Sequence, residues 1–170
     1  MKRLVALAPL ALVLAGCGLH PMYAGGTSGP VASTLAHVEV APIEGKAGWL
    51  MANDLRDKLS AMGGGAPRYR LDVKLDDQIS GLAVDLNDET TRERRTLRAR
   101  FQLVDLTHGT VLLDDTAGSD AGIDVVGSEY ATIAAEDTAL ENLSDTVSDK
   151  IVARLALYAH RTKAAPVTGP

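Results

Sequence analysis

The sequence holds one cysteine, Cys17, in 170 residues, so no intramolecular disulfide can brace its fold. Aromatic side chains are nearly missing: one Trp, one Phe and four Tyr. A core must therefore be built mainly from Leu, Val, Ile and Ala. No apolar run approaches the ~20 residues that a membrane-spanning helix needs. The four histidines, His20, His37, His108 and His160, fall on different segments, without cysteine partners or metal-ligand spacing. No Gly-x-Ser-x-Gly, P-loop or dinucleotide fingerprint occurs. The Gly63-Gly64-Gly65 triplet closes a helical pattern, whereas a phosphate cradle opens one. The pairs Asp76-Asp77, Asp114-Asp115 and Glu136-Asp137 are adjacent. Neighbours on a strand point to opposite faces, which makes such pairs poor acid/base dyads. The sequence therefore carries no sign of an enzyme, a metal or a cofactor. With a formal charge of −5, no nucleic-acid partner is expected either.

What is present begins at the N-terminus. Lys2 and Arg3 are followed by Leu4 to Leu14, apolar throughout except Pro9. The run suits the apolar core of a secretory signal peptide. It ends in Leu14-Ala15-Gly16-Cys17, a lipobox pattern. The small residues admit an extended backbone to a peptidase cleft, and the thiol of Cys17 can accept a diacylglycerol. Residues 1–16 are thus expected to be removed and Cys17 lipidated. The remaining 154 residues carry 15 basic and 22 acidic side chains. One acyl chain binds a membrane only marginally, so stable anchoring takes at least two. Gly18 follows the cysteine in place of the Asp that typically signals inner-membrane retention. This points to the outer membrane, on its periplasmic side.

Residues 17–34 are rich in Gly, Ser, Thr, Pro and Ala and read as a flexible tether with a reach of roughly 20–25 Å. Residues 35–162 read as one domain, and 163–170 as a frayed tail. Within the domain, Leu35 to Ile43 alternates loosely as a strand that ends near Pro42. Met51, Leu55, Leu59 and Met62 mark a helix over 47–62, stopped by the glycine triplet. Tyr69, Leu71, Val73 and Leu75 alternate with Arg70, Asp72, Lys74 and Asp76, giving a strand with one dry and one wet face. After Gly81 the apolar phase shifts to Leu82, Val84 and Leu86, which suggests a β-bulge. Asn87-Asp88-Glu89 reads as a turn. Strands follow over 91–105 and 110–116, and then a long helix from Tyr130 to about His160, with Ser128 as its N-cap. The order β-α-β-β-β-α implies an α+β two-layer sandwich: a four-stranded, mostly antiparallel sheet with two helices on one face.

At this point the residues carry a resemblance. Cys17-Gly18-Leu19-His20-Pro21-Met22-Tyr23 resembles the mature start of the LptE family of lipopolysaccharide-assembly lipoproteins. The element order is similar too, as is the helix opening from Tyr130-Ala131 to Ala134-Ala135-Glu136-Asp137. The likeness covers essentially the whole mature chain. It implies a non-enzymatic outer-membrane lipoprotein that plugs the barrel protein LptD, supports its assembly and binds lipopolysaccharide. An auxiliary lipoprotein of a lipid-transport ABC system, or a general periplasmic binding lipoprotein, is the alternative.

One cluster bears on the ligand. Arg92, Arg94, Arg95, Arg98 and Arg100 lie within ten residues of an otherwise acidic chain. On a regular strand Arg92, Arg94, Arg98 and Arg100 share the outer face, and Arg95 points to the other. Two readings stand: a solvated face paired with Asp72, Asp76 or other cross-strand acids, or a site for the phosphates of lipopolysaccharide, to which Arg can donate two hydrogen bonds at once. The neighbouring acidic turn, Asn87-Asp88-Glu89, weighs against the second.

Overall fold

The computed structural model describes residues 29–84 and 90–164. In chain order the elements are α1 (Pro30–Leu35), β1 (Val38–Val40), α2 (Gly45–Ser60), β2 (Tyr69–Val84), β3 (Thr90–Asp105), β4 (Val111–Asp124) and α3 (Glu129–Ala164). The strands form one sheet in the order β1-β2-β3-β4. β2–β3 and β3–β4 are antiparallel, while β1 runs parallel to β2. The parallel pair follows from α2, which carries the chain back to the end where β1 began. This is the expected α+β, mostly antiparallel sheet, with three helices rather than two.

The third helix corrects the sequence reading. Residues 30–34 were expected in the tether; in the structure they belong to α1, and Val31, Ala32 and Leu35 are buried. Six residues are too few for a helical period to show, and burial against the core, not local propensity, holds the turn. The signal peptide, Cys17, His20 and the rest of the tether lie outside the described residues. So does the Asn87-Asp88-Glu89 turn.

α2 buries Met51, Leu55 and Leu59, spaced as the sequence spaces them. Its first turn presses on the preceding loop: a Cβ on Gly48 would stand 2.6 Å from the Ile43 carbonyl oxygen. Gly63, at φ +110°, takes the left-handed conformation just past the helix end. β2 buries Leu71 and Val73, and its register with β3 slips between Gly81 and Ala83 and again at Val84, where the apolar phase shifts. β4 runs to Asp124, well past the expected end at Thr116. The extra stretch, Ala117 to Asp124, has little β-propensity apart from the buried Ile123. It is held by pairing with β3 over Arg92–Ala99.

α3 spans 36 residues, about 54 Å, and so runs the length of the two longest strands, roughly 53 Å each. At its start the Ala131 amide donates to Ser128 Oγ at 3.4 Å, as an N-cap does. At its end Lys163 and Ala164 are still helical; the remainder of the expected tail lies outside the described residues. α2 and α3 run side by side in the same direction, joined by Lys46–Asp137 at 2.7 Å and by Lys58 to Asp145 and Asp149 at 2.8 and 2.6 Å. Beneath them Phe101, Leu97, Leu103, Leu140, Val147, Ile151 and Leu155 form the middle of the core. The helices cover one face of the sheet and leave the other open.

Candidate functional site: the uncovered sheet face

Strand alternation puts one parity of β2 and β3 on the open face: Arg70, Asp72, Lys74, Asp76, Gln78 and Ser80, then Arg92, Arg94, Thr96, Arg98, Arg100 and Gln102. The register with β4 adds Asp114, Thr116, Gly118, Asp120, Gly122 and Asp124. Every side chain in this set is polar; the same parity ends at the apolar Val104, opposite Arg70. Cations and carboxylates are interleaved on it, with Arg70, Lys74, Arg92, Arg94, Arg98 and Arg100 against Asp72, Asp76, Asp114, Asp120 and Asp124.

The five candidate arginines divide. Arg92 faces Asp124 at 3.3 Å, and Arg98 faces Asp120 at 3.5 Å. Arg100 grips Asp114 in a two-pronged contact of 3.0 and 2.7 Å, and Gln102 adds a third bond at 2.8 Å. The Arg100 fork, helped by the Gln102 amide, pulls the Asp114 carboxyl down to about 2. Arg94 makes no ion pair among the described residues. Arg95 points to the helix-covered side, where it pairs with Asp77 and donates to the Glu136 carbonyl of α3 at 2.8 Å. The structure thus brings Arg92, Arg94, Arg98 and Arg100 onto one face and sets Arg95 apart, as parity requires. The acids that answer them come from β4. Asp72 instead takes Arg70 on its own strand, and Asp76 takes Gln78.

Asp120 and Asp124 were missed because β4 was expected to stop at Thr116. Their parity with Asp114 was the available signal. Gly118 is part of the same arrangement: a Cβ there would lie 2.5 Å from both Cδ and Nη1 of Arg98. Its bare backbone lets Arg98 lie across β4 toward Asp120. From the helix layer, Lys150 donates to the Gly118 carbonyl at 2.7 Å, and Arg154 meets Asp115 at 2.7 Å. The outermost strand is therefore pinned to α3 by charged side chains, a common means of blunting an exposed sheet edge.

The histidines lie apart. His37 donates through Nδ1 to the Ala66 carbonyl at 2.8 Å, bracing the loop before β2. His108, in the β3–β4 turn, lies 3.0 Å from Asp105. That contact, with the Thr107 amide, lowers the Asp105 pKa. His160 is exposed on the last turns of α3. Among the described residues no three His, Cys, Asp or Glu side chains gather as a metal site, and no helix is long and apolar enough to cross a membrane.

A family model described as LptE, lipopolysaccharide-assembly, matches residues 35–155. No curated protein matches the chain in sequence. Among solved structures, a candidate lipoprotein of Caulobacter crescentus CB15 aligns with a TM-score of 0.66 at 25% identity, over 81% of this chain and 100% of that one. A minor lipoprotein from Acinetobacter baumannii aligns with a TM-score of 0.59 at 14% identity, over 72% and 92% of the two chains. The rare lipoprotein B of Shewanella oneidensis gives 0.57 at 10% identity, over 74% and 96%. The last two establish likeness of fold alone.

Proposed function

Because the chain belongs to the LptE family of lipopolysaccharide-assembly lipoproteins, we propose that it is held by acylated Cys17 at the periplasmic face of the outer membrane and plugs the LptD barrel there. In this reading it has no catalytic step. It supports assembly of the barrel and binds lipopolysaccharide on its way to the surface.

The observation that carries the reading is the open sheet face. A sheet with one face free of helices, polar at every position from Arg70 to Ser80 and from Arg92 to Gln102, suits a barrel interior, which is itself polar. Interleaved charge gives such a face many hydrogen-bonding partners and little net field. It favours contact with a mixed polar wall over capture of a strongly charged ligand. Of the arginine cluster, Arg94, with Arg92 and Arg98 in their looser pairs, is the part left to meet a phosphate. Arg100 is gripped by Asp114, and Arg95 serves the helix layer.

Affinity purification of the tagged protein from detergent-solubilised outer membranes tests the proposal. A one-to-one complex with LptD is expected, with loss of assembled barrel on depletion. Recovery of a permease or substrate-binding protein without LptD would instead favour an auxiliary lipoprotein of a transport system. The anchor has its own test: a palmitate analogue should label the wild type, and Cys17→Ala should release the protein from the membrane.

A further inference from the structure

The sheet offers its backbone to solvent along β1, β4 and part of β2, and cations cap the first two. Beside β1 the Arg56 guanidinium of α2 donates to the Val40 carbonyl at 3.5 Å. Beside β4 Lys150 donates to the Gly118 carbonyl at 2.7 Å. Charged side chains placed at an edge guard it against pairing. β2 has no such guard past Leu71. β1 covers only Tyr69, Arg70 and Leu71, and the amide of Ala41 then donates to the Leu71 carbonyl at 3.1 Å. Pro42 follows, with no amide to continue the ladder.

The same contacts fix which way the β2 backbone points. The Tyr69 amide donates to His37 and the Leu71 carbonyl accepts from Ala41, whereas the Arg68 carbonyl accepts from Leu106, just past β3. Odd-numbered residues of β2 therefore turn their N–H and C=O groups away from β3. Val73, Leu75, Asp77 and Ile79 present these groups along about 20 Å of edge, with no backbone partner there among the described residues. Where β1 ends, a cleft of about 490 Å³ opens between residues 42–44 and Val73, Lys74 and Leu75. Apolar side chains flank the edge. Ile79 is 42% exposed, and Trp49, 65% exposed, lies on the α2 stripe of Arg56, two turns nearer the helix start.

We infer that the Val73–Ile79 edge takes an added β-strand, and that this strand is an extended loop segment of the barrel partner, folded into the lumen. The inference rests on the barrel reading proposed above and names a contact within it. The barrel wall cannot supply the strand, because closure leaves it no free edge; the long loops of such a barrel can. Pairing runs through the backbone, and alternate side chains of the added strand set its register. Apolar ones stand beside Leu75, Ile79 and Trp49, and polar ones beside Lys74, Asp76 and Gln78. The latter three belong to the open face, so the added strand prolongs the polar surface that faces the barrel interior.

The test compares the acylated protein alone with its LptD complex in the same detergent. Amide hydrogen exchange over residues 73–79 should slow about tenfold or more in the complex. A photo-crosslinking residue at position 75 or 79 should join one LptD segment, the two adducts about four residues apart, as paired strands require. Ile79→Lys sets a charge beside the edge and should lower recovery of the complex severalfold, with the urea midpoint of the isolated protein close to wild type. Ile79→Val should recover the complex in full. Unchanged exchange in a complex that does form, adducts scattered over unrelated LptD segments, or an Ile79→Lys complex as abundant as wild type overturns the inference and leaves the barrel reading standing. Adducts between two copies of this chain overturn it in favour of an edge-to-edge dimer, and adducts to residues 18–28 of the same chain in favour of an internal strand. If no LptD complex is recovered from wild type, the barrel reading falls and this inference with it.

Discussion

Arg95 and Asp77 form a two-pronged ion pair beneath the start of α3, with Nε to Oδ1 at 2.8 Å and Nη2 to Oδ2 at 2.6 Å. Their side chains are only 11% and 23% exposed, and the remaining arginine prong reaches the Glu136 carbonyl. This one side chain ties β2, β3 and α3 together near one end of the apolar core. Charge-assisted bonds in so sheltered a place are worth more than the solvated pairs on the opposite face.

Arg95→Ser is therefore expected to lower unfolding free energy by about 1–3 kcal/mol, read from urea transitions. Arg94→Ser, on the open face, should stay within about 0.5 kcal/mol of wild type. Equal effects at the two positions would show that Arg95 is not the tie between the layers.

The Arg100–Asp114 pair sets a pH dependence. The folded pKa of Asp114, about 2, lies below its unfolded value of ~3.9. The stabilisation from this carboxylate is therefore fully present above the unfolded pKa and is lost as pH falls toward the folded one. Wild type and Asp114→Asn should differ in urea midpoint at pH 7 and at pH 5, and the two curves should converge between pH 4 and pH 2. A gap that persists unchanged at pH 2 would assign the difference to packing.

The long strands and both long helices were legible because burial and period coincide there. Leu71 and Val73 alternate with Arg70, Asp72 and Lys74, and Met51, Leu55 and Leu59 recur at helical spacing. α1 and the second half of β4 were not. Pro30–Leu35 is shorter than two turns, and Ala117–Asp124 alternates only weakly, with small residues and a single strand former, Ile123. Both are held by partners remote in sequence, which a local pattern cannot reveal. The same gap explains the site. Parity placed the arginines correctly, but the partners of Arg92 and Arg98, Asp124 and Asp120, lay on the unread half of β4.

α1 gives a test of that correction. Leu35 is 1% exposed and Val31 4%, so Leu35→Ala should cost about 2–5 kcal/mol and Val31→Ala somewhat less. Truncation of a true tether residue would cost nothing measurable. Thermal unfolding of the two variants, read against wild type, separates the cases.

The last prediction concerns the open sheet face. Phosphate groups of lipopolysaccharide would have to compete with Asp124 for Arg92 and with Asp120 for Arg98, at 3.3 and 3.5 Å, while Arg94 has no carboxylate to lose among the described residues. Long single contacts exchange more readily than the fork that Arg100 makes with Asp114. Combined substitution of Arg92, Arg94 and Arg98 by Ser should then reduce lipopolysaccharide binding well beyond twofold and weaken its salt dependence, with the LptD complex retained. Arg100→Ser alone should leave binding within twofold. Unchanged binding in the triple variant would reduce the arginine face to a structural ladder of cross-strand pairs. A lost LptD complex would move these arginines to the protein interface, where interleaved charge sets register against the barrel wall.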